Sequence, residues 1–237
     1  MPPMKLVLFD IDGTLLRTPF SGNQIMTDVG RRMFGPAFGF DGAEFAGQLD
    51  RALFNHAMQR PDAPTLPEGR LDDAFDRFGD AYADALDQTL ARIDGPAMAL
   101  PGGLDLVRRL ARQPRVAVGI VTGNLRRAAW LKLHAAGFQK PWFSRAAFGD
   151  DHTDRAQLVA DALEQHRQAT GQPLDPAHVL VVGDTPRDVQ SAKANGCIAL
   201  AVATGHHDRR ALDDARPHAT LDSLANPAPL LHRLRST

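Results

Sequence analysis

Four short apolar runs constrain this chain more than any other feature: Lys5 to Phe9, Val116 to Val121, Val179 to Val182 and Ile198 to Val202. None alternates apolar with polar residues, so each reads as a strand buried on both faces. Longer segments of helical period stand between or beside them, at Leu104 to Ala111, Arg126 to Ala136, Arg155 to Arg167 and Pro186 to Asn195. Gly137 and Gly196 fall where helix C-caps belong. Strand and helix in alternation imply an α/β fold, a doubly wound parallel sheet with helices on both faces. A short strand near Ala219 to Leu221 and a final helix are expected to complete it. The chain is 43% hydrophobic, enough for a core of that kind.

One interval breaks the rhythm. About a hundred residues separate Asp10 from Val116, whereas a plain crossover needs a few tens. Leu71, Phe75, Phe78, Tyr82, Leu86, Leu90 and Ile93 recur at steps of three or four, one face of a long amphipathic helix. Ile25, Met26, Val29 and Met33 predict a second helix, and Leu49, Ala52, Leu53 and Ala57 a third. Chain breakers at Gly95-Pro96 and Pro101-Gly102-Gly103 mark the return. The interval reads as an inserted helical domain over residues 17–98, with residues 1–16 and 99–237 forming the core.

Ligands of open parallel sheets bind beyond the C-terminal ends of the strands. Asp10-Ile11-Asp12-Gly13-Thr14 follows the first strand, Thr122-Gly123-Asn124 the second run, and Gly183-Asp184-Thr185, with Asp188, the third. Carboxylates gathered at one point repel each other unless a cation joins them, and oxygen ligands suit Mg²⁺. A carboxylate is also a nucleophile toward phosphorus, and a second one two residues away can move the proton of the leaving oxygen. Backbone N–H groups of Gly123 and Asn124 at a helix N-terminus would suit a phosphate.

In these motifs, taken in order and each behind a strand, the chain resembles the haloacid dehalogenase superfamily, with a C1-type helical cap and a phosphoglycolate phosphatase-like organisation. The resemblance covers Asp10 to about Val202. It implies Asp10 as nucleophile and Mg²⁺ ligand. Asp12 would be the general acid/base and a ligand through its backbone carbonyl, and Asp184 and Asp188 would be further metal ligands. Thr122, Gly123 and Asn124 would bind the phosphoryl group. The family's usual third-motif Lys is absent from Phe148-Gly149-Asp150-Asp151-His152-Thr153-Asp154-Arg155, and Arg155 is expected in its place. Within the insert, Gly47-Gln48-Leu49-Asp50 resembles a stretch of phosphatase caps, which makes Asp50 and Arg51 candidates to face the substrate. Asp188 also suits position N3 of a helix capped by Thr185 with Pro186 at N1.

Asp12 and the acidic metal set argue against a dehalogenase. The absence of Lys between Leu15 and Leu100 argues against Schiff-base phosphonatase chemistry. The expectation is Mg²⁺-dependent hydrolysis of a small phosphorylated metabolite through an aspartyl-phosphate. A sugar phosphomutase and a non-catalytic phosphate- or metal-binding module are the alternatives. With 27 Lys and Arg against 28 Asp and Glu there is no basic surplus for nucleic acid. No apolar run reaches membrane-span length, and the single Cys197 reads as a buried small hydrophobe. The N-terminus runs at once into the first strand, too short for a signal-peptide core. A cytoplasmic monomer is expected.

Overall fold

The computed structural model describes residues 5–42, 45–63, 66–67, 69–150 and 152–235, so Asp151 of the third-motif run lies outside the described residues. Its elements in chain order are β1 (Lys5–Phe9), α1 (Gly22–Phe34), α2 (Asp50–Met58), α3 (Leu71–Leu90), α4 (Gly103–Ala111), β2 (Val116–Val121), α5 (Arg126–Ala135), β3 (Arg145–Ala147), α6 (Arg155–Thr170), β4 (Val179–Gly183), α7 (Pro186–Ala194), β5 (Ile198–Val202), α8 (Arg209–Asp214), β6 (Ala219–Leu221) and α9 (Ala228–Arg235).

The six strands form one parallel sheet in the order β3-β2-β1-β4-β5-β6. The order reverses between β1 and β4, which opens a crevice at the C-terminal ends of those strands. The two-residue period of β1 explains its unbroken apolar run. Val7 and Phe9 point into one apolar cluster with Leu106, Val107 and Leu133, whereas Leu6 and Leu8 point into another with Leu158, Val159 and Val189. All four side chains are fully buried.

The insert is helical, as its periodicity predicts, and α3 is a single 20-residue helix. Two positions depart from the predicted stripe. Leu71 is the first residue of the helix and is exposed, and Ile93 lies beyond its C-terminal end. Phe34, Phe38, Phe54 and Phe78 pack as a cluster, with ring centroids 5.1 Å apart for Phe54 and Phe78 and 5.6 Å for Phe38 and Phe78. Gly30 makes room for this cluster, since a Cβ there would lie 2.0 Å from the Phe38 ring.

The two connecting segments run side by side. Leu16 pairs with Ala99, Arg17 N donates to Met98 O at 2.8 Å, and Leu100 N donates to Leu15 O at 2.9 Å. The insert therefore leaves and rejoins the core at one place, directly after the turn that carries Asp10 and Asp12. Phe78 is fully buried at the centre of the aromatic cluster. Phe78→Ala is expected to destabilise the protein by about 3–5 kcal/mol in urea unfolding. A loss below about 1 kcal/mol would mean that the cluster does not hold the insert together.

Candidate active site

The loops after β1, β2 and β4 meet at the sheet's crevice. Beneath the helical insert they bound a cavity of about 550 Å³. Its core side includes Asp10, Asp12, Thr122, Lys132, Arg155 and Asp184, and its insert side includes Met26, Asp50 and Tyr82.

Asp10, Asp184 and Asp188 each offer a carboxylate oxygen within 4.8 Å of the others, and all three are buried. Burial raises Asp10 to about 6, with Asp188 adding to the rise and Arg155 opposing it. Asp184 is raised well above its ordinary value by burial first, then by Asp10 and Asp188. Its hydrogen-bond partner is Thr14, whose Oγ1 donates to Oδ1 at 3.0 Å. Backbone crowds this carboxylate on two sides. A Cβ on Gly13, which has φ +78°, would lie 2.3 Å from Asp184 Oδ2, and one on Gly205 would lie 1.7 Å away. A group of buried oxygen donors with a negative excess, packed this tightly, fits a metal cation.

Arg155 opens α6 and is buried against two of these carboxylates. Its Nε donates to Asp188 Oδ1 at 2.7 Å, and its Nη2 lies 2.5 Å from Asp188 Oδ1 and 3.0 Å from Asp10 Oδ1. The hydrogens of Nη2 are not aligned with either oxygen, so its contacts are ionic ones. Burial opposes the guanidinium charge, but Asp10 and Asp188 outweigh it and raise Arg155 further. Asp188 also closes a capping box. Its Oδ2 accepts from Thr185 N at 3.0 Å and from Thr185 Oγ1 at 2.7 Å, at the start of α7.

Asp12 stands apart from the three-carboxylate cluster, with its side chain 41% exposed. Its Oδ2 accepts from Asn124 Nδ2 at 2.7 Å and from Lys132 Nζ at 2.8 Å. Sequence reasoning passed over Lys132. The structure shows its place: α5 buries Ala128, Ala129, Lys132 and Leu133, so a lysine occupies the inward stripe of the helix. Thr122 is fully buried, and its Oγ1 accepts from Asn124 Nδ2 at 2.8 Å.

α5 begins at Arg126, where the sequence places it, and carboxylates take the N–H groups of Leu125 and Arg126. Leu125 N donates to Asp50 Oδ2 at 2.9 Å, and Arg126 N donates to Asp150 Oδ2 at 2.6 Å. Asn124 N points to Thr122 Oγ1 at 3.4 Å. Acidic side chains interact favourably with the helix dipole at this end.

The two insert candidates separate. Asp50 is buried and lines the cavity, and burial raises it to about 6, with Lys132 and the Leu125 N–H opposing the rise. Arg51 points elsewhere: its guanidinium pairs with Asp72 and lies 4.4 Å over the Phe75 ring, and it is not among the cavity-lining residues. Neighbouring residues of a helix point about 100° apart, which lets Asp50 face the cavity while Arg51 packs on α3. Tyr82, expected only as apolar packing, also reaches the cavity.

Among the described residues, no helix is long and apolar enough to cross a membrane. The model of the haloacid dehalogenase-like hydrolases matches residues 4–196. Phosphoglycolate phosphatase from Synechococcus elongatus is 28% identical over 232 residues, which cover 96% of each chain. Phosphoglycolate phosphatase from Pseudomonas putida is 26% identical over 226 residues, covering 93% of this chain and 77% of that one. Among solved structures, CbbY from Rhodobacter sphaeroides, in complex with xylulose-(1,5)bisphosphate, superposes with a TM-score of 0.72 at 17% identity. The match covers 94% of this chain and 96% of CbbY, and at that identity it shows a shared fold. With the family model spanning β1 to β4, the insert and all three motif loops, this chain belongs to the haloacid dehalogenase-like hydrolases.

Proposed function

We propose that the protein is a phosphatase that hydrolyses a small phosphate monoester through an aspartyl-phosphate on Asp10. The observation that carries this reading is the division of the carboxylates. Asp10 lies in the buried cluster beside Arg155, while Asp12 faces the cavity outside that cluster. A nucleophile and a proton carrier need such different surroundings. The phosphoglycolate phosphatases among its relatives make phosphoglycolate the first ester to test.

In this reading an oxygen of Asp10 attacks phosphorus, the new P–O bond forms in line, and the ester P–O bond breaks. Asp12 donates its proton to the departing alkoxide. Asp12, now a carboxylate, then removes a proton from water as the water attacks the aspartyl-phosphate, which returns Asp10 and releases phosphate. Arg155 Nη2, with no aligned acceptor among the carboxylates, is placed to donate to a phosphoryl oxygen. Thr122 Oγ1 already accepts from Asn124, so its own hydrogen is available to another phosphoryl oxygen. Mg²⁺ would be held by Asp10, Asp184 and Asp188 with the Asp12 backbone carbonyl, and would supply charge neutralisation for the phosphoryl oxygens. The cavity of about 550 Å³ suits a small metabolite.

Phosphate release from phosphoglycolate, hexose phosphates and nucleoside monophosphates, with Mg²⁺ and with chelator, tests the reaction. Turnover is expected only with Mg²⁺. Asp10→Asn is expected to abolish it, and Asp12→Ala to lower kcat by about 10²–10⁴-fold. A folded protein that binds Mg²⁺ yet hydrolyses none of these esters would sink the phosphatase reading.

The raised carboxylates set a second expectation. Without a bound cation, native Asp10 keeps its proton between its ordinary 3.8 and about 6, where the unfolded chain has released it. Stability therefore falls as pH rises through that window, and Asp184, raised in the same direction, adds to the loss. At pH 8 in chelator, Asp184→Asn is expected to raise Tm by a few degrees. Mg²⁺ should raise the Tm of the unsubstituted protein but not that of Asp184→Asn. A Tm rise with Mg²⁺ that survives in Asp184→Asn would place the cation elsewhere.

A further inference from the structure

We propose that Lys132 is a positioning residue that fixes the proton-carrying oxygen of Asp12; this inference rests on the acid/base reading of Asp12. Lys132 is 5% exposed, and a buried ammonium is costly unless anions and acceptors surround it. Its Nζ has two such partners, Asp12 Oδ2 at 2.8 Å and Asn124 Oδ1 at 2.7 Å. Burial opposes its charge, but Asp12, with Tyr82 and Asp50 from the insert, more than restores it.

Two consequences follow from the donor and acceptor inventory. An ammonium carries donors only, so it forces the Asn124 amide to turn Oδ1 toward Lys132 and hence Nδ2 toward Asp12. Asp12 Oδ2 then receives two donors, from Lys132 and from Asn124 at 2.7 Å. With two donors on Oδ2, proton exchange with the leaving oxygen is left to Oδ1. Lys132 thereby orients Asp12 directly and through Asn124, without touching the reacting atoms. No residue of the three motifs supplies this contact, because Lys132 lies on the inward face of α5, two turns beyond the Thr122 loop.

Proton donation matters most when the leaving oxygen is basic. An alkyl phosphate expels an alkoxide and depends on it, whereas p-nitrophenyl phosphate expels a phenolate that needs little. Because kcat/KM reports the steps through formation of the aspartyl-phosphate, the two esters isolate acid catalysis from hydrolysis of the intermediate. Lys132→Met keeps most of the stem volume and removes the ammonium. Measured with Mg²⁺, it is expected to lower kcat/KM for the alkyl ester about 10- to 100-fold more than for the aryl ester. Asp12→Asn should show the same selective loss. Equal losses on the two esters, or none on either, would overturn the proposal and leave Lys132 a structural tie between α5 and the Asp12 turn. Should the Met variant fail to fold, Lys132→Arg carries the same comparison. It keeps the charge but not a single ammonium between Asp12 Oδ2 and Asn124 Oδ1, so the alkyl ester should again lose more. Failure of the unsubstituted protein to hydrolyse either ester would instead defeat the phosphatase reading itself.

Discussion

Repulsion among Asp10, Asp184 and Asp188 is the constraint around which this site is arranged. Three carboxylates within 4.8 Å of one another, each almost out of solvent, are held together against their own charge. The parallel pairing of β1 with β4 enforces the arrangement, because register between Phe9 and Val182 brings the residues that follow each strand to the same height. Extensive apolar burial of both strands on both faces resists any separation that would relieve the charge. Glycine is needed where backbone approaches these groups. Gly183 lies so near Asp188 that a Cβ would meet its Cγ at 2.2 Å, and Gly13 and Gly205 stand as close to Asp184.

Two buried cations divide the remaining work. Arg155 serves Asp10 and Asp188 with a planar fork that spans both, and Lys132 serves Asp12 with a point charge that also orders Asn124. Asp184 has Thr14 as its hydrogen-bond partner and feels Arg155 less than it feels the two neighbouring carboxylates. The charge balance is therefore local. Asp12 is held separately from Asp10, although only one residue lies between them in the chain.

β1, β2, β4 and β5 were legible in the sequence because strands covered on both faces leave continuous apolar runs, and the helices between them because their stripes are periodic; β3, Arg145–Ala147, leaves no such run. The two acidic loops and the Thr122 loop were legible because strand ends mark where ligands gather. Side-chain destinations within helices were less so. Lys132 reads as an ordinary charged residue until the burial of Ala128, Ala129 and Leu133 shows which way its face points. Asp50 and Arg51 are adjacent and chemically plausible alike, and the packing of Arg51 onto Phe75 and Asp72 on α3 is what separates them. Capping of α5 by Asp50 and Asp150 escaped local reading for a related reason. The donors and acceptors lie far apart in sequence, 75 and 24 residues, and only tertiary structure joins them.

Those long-range caps tie the insert to the chemistry. Asp50 N donates to Gly123 O at 2.8 Å while its carboxylate accepts from Leu125 N, so one insert residue grips both sides of the Thr122 loop. Gly47 rests on the start of α7. With φ +72°, it approaches so closely that a Cβ would lie 2.8 Å from Thr185 Oγ1, the hydroxyl that donates to Asp188. Arg155 Nη1 reaches Gly47 O at 3.4 Å. The insert therefore rests on the hydrogen bonds that position Asp188, Arg155 and Thr122, rather than on a neutral rim. Lifting the insert would remove acceptors from Arg155 and from the α5 N-terminus together and admit water to the carboxylates. Placement of the insert and preorganisation of the site are thus one structural condition, set by the Gly47-Gln48-Leu49-Asp50 stretch on one side and by three strand-end loops on the other.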